Sequence, residues 1–71
     1  MSVITRDEVI DCLMQGPLTA QEVARRVRPK AFEIRPIERQ VNRLLQAMDK
    51  EYLAFPKHPR AGETAPLWEL C

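Results

Sequence analysis

In the stretch RPIERQVNRLLQAMDK, residues 35–50, the apolar residues Ile37, Val41, Leu44, Leu45 and Met48 recur at the spacing of one helix face. Pro36 fits a first turn, because the N–H it lacks is one that a helix start leaves unbonded. At about 100° per residue the five apolar positions share an arc roughly 100° wide. Arg39, Asn42, Arg43, Gln46 and Lys50 share the opposite arc, with no acid among them. The spacing thus predicts a long helix with a greasy side that anchors it and a basic, amide-bearing side left for another use.

Two further helix starts precede it. TRDE (5–8) and TAQE (19–22) both match the Thr-x-x-Glu capping box, in which the Thr side chain accepts an orphan N–H and the Glu reaches back to the cap N–H. The first helix should run from about Arg6 to Gln15, turning Val9, Ile10 and Leu13 inward, with Cys12 and Met14 as further candidates, and should stop at Gly16-Pro17. The second should run from about Ala20 to Val27, burying Val23, Ala24 and Val27. It should stop before Arg28-Pro29, since a residue preceding proline is pushed out of the α region. Residues 28–35 give no clear pattern; Phe32 and Ile34 alternate in PKAFEIR and fit either a short extended piece or an extra turn. Beyond the long helix, YLAF (52–55) and APLWEL (65–70) read as two short strands around the Pro- and Gly-containing loop PKHPRAGET, hence a hairpin with a long tip. Trp68, Phe32, Tyr52 and Phe55 are expected in the core or at its rim, and Met14 and Met48 as fillers of irregular space.

Composition narrows the function. Seventy-one residues make a single domain, residues 1–71, that buries about 60% of the surface its unfolded chain would expose. No run nears the roughly 20 apolar residues of a membrane span, and MSVITRDEV lacks the basic-then-apolar order of a secretory signal, so a cytoplasmic protein without membrane contact is expected. In that compartment Cys12 and Cys71 should be free thiols. The net charge of +1 is unevenly spread. Residues 1–24 carry Arg6 against Asp7, Glu8, Asp11 and Glu22, a net of −3. Residues 25–43 carry Arg25, Arg26, Arg28, Lys30, Arg35, Arg39 and Arg43 against Glu33 and Glu38, a net of +5, and the remainder holds −1. Positive charge concentrated in one segment suits a polyanion.

Three helices followed by a two-stranded hairpin with a basic tip make an α+β chain. TAQEVARRV, then IERQVNRLLQAMDKEYLAF, then a hairpin closing in LWEL resemble the winged helix-turn-helix family of DNA-binding domains over nearly the whole chain. The resemblance implies that the third helix enters the major groove of double-stranded DNA while the wing touches the backbone beside it. Arg39, Gln40, Asn42, Arg43 and Gln46 would then face base edges: Arg pairs bidentately with guanine, Asn and Gln with adenine, each good pair discriminating by about 1 to 3 kcal/mol. Arg25, Arg26, Arg28, Lys30, Arg35, Lys57, His58 and Arg60 would contact the backbone, which positions without specifying.

A narrower likeness is to the Z-alpha domains, which bind left-handed nucleic acid: Asn42 and Arg43 match their helix pair, and Thr64, Pro66 and Trp68 their wing. Glu38, Gln46 and Ala65 depart from that pattern where the family has Lys, Tyr and Pro. The short length and the RAGETAPLWEL ending are also similar to small bacterial fimbrial-type regulators. The sequence therefore predicts a small transcriptional regulator, with a protein-protein interaction module and Z-form binding as alternatives. A homodimer or a protein co-regulator would suit so small a domain. With the chain ending one residue after the second strand, no effector-binding domain is expected. Enzymatic chemistry is not expected either. One His and two distant Cys do not make the usual metal sets, Gly16 and Gly62 do not form a phosphate loop, and a chain this small has little room for a small-molecule substrate; no metal or cofactor is expected.

Overall fold

The computed structural model describes residues 3 to 71; Met1 and Ser2, part of the stretch read above as lacking a secretory signal, lie outside the described residues. The elements in order are α1 (Arg6–Leu13), α2 (Ala20–Val27), α3 (Arg35–Lys50), β1 (Ala54–Lys57) and β2 (Leu67–Leu70). Both capping boxes form: the Thr5 hydroxyl accepts from Glu8 N–H while Glu8 accepts from Thr5 N–H, and Thr19 and Glu22 repeat the exchange. The helices pack around Val9, Leu13, Val23, Ala24, Val41, Leu45 and Met48, all buried, with Trp68 and Ala54 closing the core from the hairpin.

The hairpin is antiparallel, pairing Ala54 with Leu70, Phe55 with Glu69, Pro56 with Trp68 and Lys57 with Leu67. Leu18, in the short connection between α1 and α2, adds a bridge that the sequence does not announce. Its N–H donates to the Trp68 carbonyl at 3.1 Å, and the Trp68 N–H donates to the Leu18 carbonyl at 2.7 Å. Trp68 therefore spends both backbone groups on Leu18, away from β1. Pro56 consequently stands at a non-hydrogen-bonded position of an outer strand, where its missing N–H breaks no ladder bond. The bridge ties the helical half of the chain to the hairpin at its most buried aromatic residue.

Several sequence expectations are corrected. α1 ends at Leu13 rather than Gln15, and Met14 is 71% exposed: once α1 stops, the chain turns through Met14 and Gln15 to Gly16, whose φ of 135° favours glycine. β1 starts two residues later than read because residues 51–53 close α3. The Leu53 N–H reaches back to the Met48 carbonyl and the Tyr52 N–H to that of Asp49, with Tyr52 at φ 60°, a Schellman turn. That geometry directs Tyr52 outward, 84% exposed, instead of into the core. Phe55 is exposed because its pairing with Glu69 puts it on the outer face of the hairpin, opposite the face of Ala54 and Trp68. β2 begins at Leu67, two residues inside APLWEL. Residues 28–34 form no strand; a turn closed by the Ala31 N–H on the Arg28 carbonyl carries the chain outward and leaves Phe32 fully exposed.

Candidate nucleic-acid interface

The site is built on α3. Val41, Leu45 and Met48 are wholly buried and fix the rotation of the helix about its axis. Residues half a turn away must then face out: Arg35, Arg39, Arg43, Gln46 and Lys50 are exposed and form one continuous stripe at helical spacing. Asn42 lies half-buried at its edge, and Glu38, half-buried, and Asp49, exposed, flank it. Gln40 falls elsewhere, half-buried on the side of α3 that lines a groove against the α2–α3 connection.

The cations divide into two groups. Among the described residues, Arg25, Arg35, Arg39, Arg43 and Lys30 take part in no ion pair. The others assigned to backbone contact are engaged within the fold, His58 excepted, which is exposed in the loop after β1. Arg28 holds Glu8 at 2.7 Å, Lys57 holds Glu69 at 3.2 Å, and Arg26 donates to the Gln15 side chain at 2.7 Å. Arg60, at the hairpin tip, donates to Glu22 at 2.8 Å and lies 3.5 Å from Glu63. Acids of the negative N-terminal segment thus reach across to cations outside it, and the charge polarity of the sequence survives chiefly on α3 and its immediate approach.

These pairs perturb the carboxyls. The Arg28 guanidinium, then the Thr5 N–H, hold Glu8 below its ordinary value. The Thr19 N–H, then Arg60, do the same for Glu22. Glu22 in turn, with Glu63, raises Arg60. Partial burial pushes the Cys12 thiol up, so it is a poor nucleophile there. Among the described residues no cluster of three His, Cys, Asp or Glu has the geometry to hold a metal, and no helix is long and apolar enough to cross a membrane.

Sequence reading missed the groove. It has a volume of about 640 Å³ and is walled mainly by Ile4, Val27, Pro29, Ala31, Phe32 and Ile37. The available signal was PKAFEIR, an aromatic between prolines that fitted neither period, which is how an exposed apolar connection looks in sequence. No protein-family model matches the chain, and no curated protein or solved structure matches it.

Proposed function

We propose that this chain is a winged helix-turn-helix domain of a small transcriptional regulator that binds double-stranded DNA, with α3 in the major groove and the β1–β2 loop as the wing. The observation that carries the reading is the α3 stripe: Arg39, Arg43 and Gln46 stand in solvent, the two arginines without carboxylate partners among the described residues, on a helix whose opposite face buries Val41, Leu45 and Met48 completely. A base-reading side chain needs both properties, since a neutralised or wobbling guanidinium loses its bidentate geometry. The Leu18–Trp68 bridge, which braces the hairpin against the α1–α2 connection, is in keeping with a wing.

In this reading Arg39, Arg43, Gln46 and Asn42 face the bases, while Gln40 is turned to the groove. Arg25 and Arg35 meet phosphates directly. Lys57 and Arg60 reach phosphate by exchanging one carboxylate for another anion. Exposed ion pairs contribute only about 0 to 1 kcal/mol, so the exchange costs little. Trp68, 6% exposed, is committed to the core, and Z-form recognition through it draws no support from its burial. Protein binding is favoured by one observation, the apolar groove, and that surface is distinct from the stripe.

Fluorescence anisotropy of labelled duplex against salt tests the assignment. Binding should weaken log-linearly as salt rises from about 50 to 200 mM, because bound phosphates release counterions. Arg43→Ala should flatten sequence preference by roughly 1 to 3 kcal/mol, and Arg60→Ala should weaken all duplexes alike and make the salt slope shallower. No binding near 50 mM would refute the DNA reading, and equal behaviour of the two variants would refute the division of roles.

A further inference from the structure

The groove between α2 and α3 sits beside a fully exposed aromatic ring. Phe32 forms part of its rim, and Ile4, Val27, Pro29, Ala31 and Ile37 line it. A large apolar side chain in full contact with water next to an apolar hollow is a knob and a hole on one surface. That combination is what an isologous contact requires, because a two-fold axis presents the same patch from both sides.

Charge selects the occupant. Among the described residues, three charged ones line the groove: Arg28, Lys30 and Glu33. Arg28 is neutralised by Glu8 at 2.7 Å. Lys30 and Glu33 remain, on either side of Phe32 in sequence, of opposite sign, and in no ion pair among the described residues. An acidic partner would satisfy one and oppose the other, and so would a basic one. A second copy of the chain, turned about a two-fold axis, sets Lys30 against Glu33 twice over.

We infer that two copies of this chain associate through this groove, the Phe32 of each seated in the groove of the other and Lys30 facing Glu33 across the axis. An aromatic side chain buries about 150 to 250 Å², so two rings and their rims make a contact below the 1,200 to 2,000 Å² of standard stable interfaces. The dimer is accordingly weak and concentration-dependent. Ile37 lies in the contact, which brings the first turns of the two α3 helices together and leaves Arg39, Arg43 and Gln46 outside it. The inference does not depend on DNA binding and stands or falls separately from it.

Sedimentation equilibrium of the full chain over a wide concentration range, under reducing conditions so that Cys71 disulfides do not contribute, tests it. The wild type should shift from monomer to dimer as concentration rises. Phe32→Ser, a change at a solvent-exposed site that leaves the core intact, should weaken the dimer by roughly tenfold or more. Lys30→Glu and Glu33→Lys should each weaken it as well, since each sets like charges across the axis. An equimolar mixture of those two variants should recover association, because every facing pair is then again of opposite sign. A wild type that stays monomeric at millimolar concentration overturns the inference and leaves the groove to a foreign partner. A dimer that ignores Phe32→Ser, or a mixture that does not recover, overturns it too.

Discussion

At the scale of single residues, local geometry and sequence preference disagree at Tyr52. It adopts φ 60° at the C′ position of a Schellman turn, where glycine is the usual choice because the left-handed region costs an L side chain about 1 to 2 kcal/mol. Its ring is 84% exposed and so recovers little of that cost by burial. Tyr52→Gly is therefore expected to stabilise the fold by about 0.5 to 1 kcal/mol after the extra chain entropy of glycine is subtracted. Urea denaturation measures it directly, and a loss of stability would show that the ring has a packing role. The same residue marks a limit of sequence reading. YLAF looks like a strand because its residue types favour one, but the three residues after α3 are used to satisfy helix carbonyls, and pairing starts only at Ala54.

At the scale of elements, the two capping boxes were legible from Thr-x-x-Glu because a cap is a local device, closed within four residues. Their Glu residues acquire a second task that is not local: Glu8 also holds Arg28, and Glu22 also holds Arg60. Both carboxyls are held below their ordinary value of 4.5 in the folded state, Glu8 by Arg28 first and the Thr5 N–H second, Glu22 by the Thr19 N–H first and Arg60 second. The folded chain then binds fewer protons than the unfolded chain in the acid range. The stability this contributes is present above the ordinary carboxylate value and is lost as pH falls through the depressed ones. Thermal melts from pH 7 down to pH 3 should show a falling midpoint that begins near 4.5. In Glu8→Gln/Glu22→Gln, where glutamine keeps the cap bond but does not titrate, the acid-side fall should be shallower. An unchanged slope would mean that other carboxyls dominate. α3 itself was readable in full, bounds included, since its register follows from five apolar positions. The connection before it was not, because neither period 2 nor period 3.6 describes residues held in place by a turn.

At the scale of the whole molecule, Trp68 ties the two halves together through both backbone and side chain. Trp68 bonds Leu18 through its backbone, stands opposite Pro56 in the hairpin, and is 6% exposed in the common core. Trp68→Ala should cost about 3 to 5 kcal/mol. Against a total of about 5 to 15 kcal/mol for natural domains, with small ones at the low end, that removes most of the stability of the chain. Guanidinium denaturation followed by far-ultraviolet circular dichroism would register it, and a cost under about 1 kcal/mol would disprove the central role assigned to this side chain. Residue order alone was enough for what depends on near neighbours: three helices, two of their starts, the amphipathic division of α3 and the existence of a hairpin. Periodicity and capping are written within a few residues of where they act. The folded arrangement was needed to learn which cations stay out of ion pairs among the described residues, that Leu18 bridges Trp68, and that Phe32 stands outside beside an open groove. Those outcomes turn on meetings such as Glu8 with Arg28, Glu22 with Arg60 and Leu18 with Trp68, 20, 38 and 50 positions apart, and no local pattern encodes such a meeting.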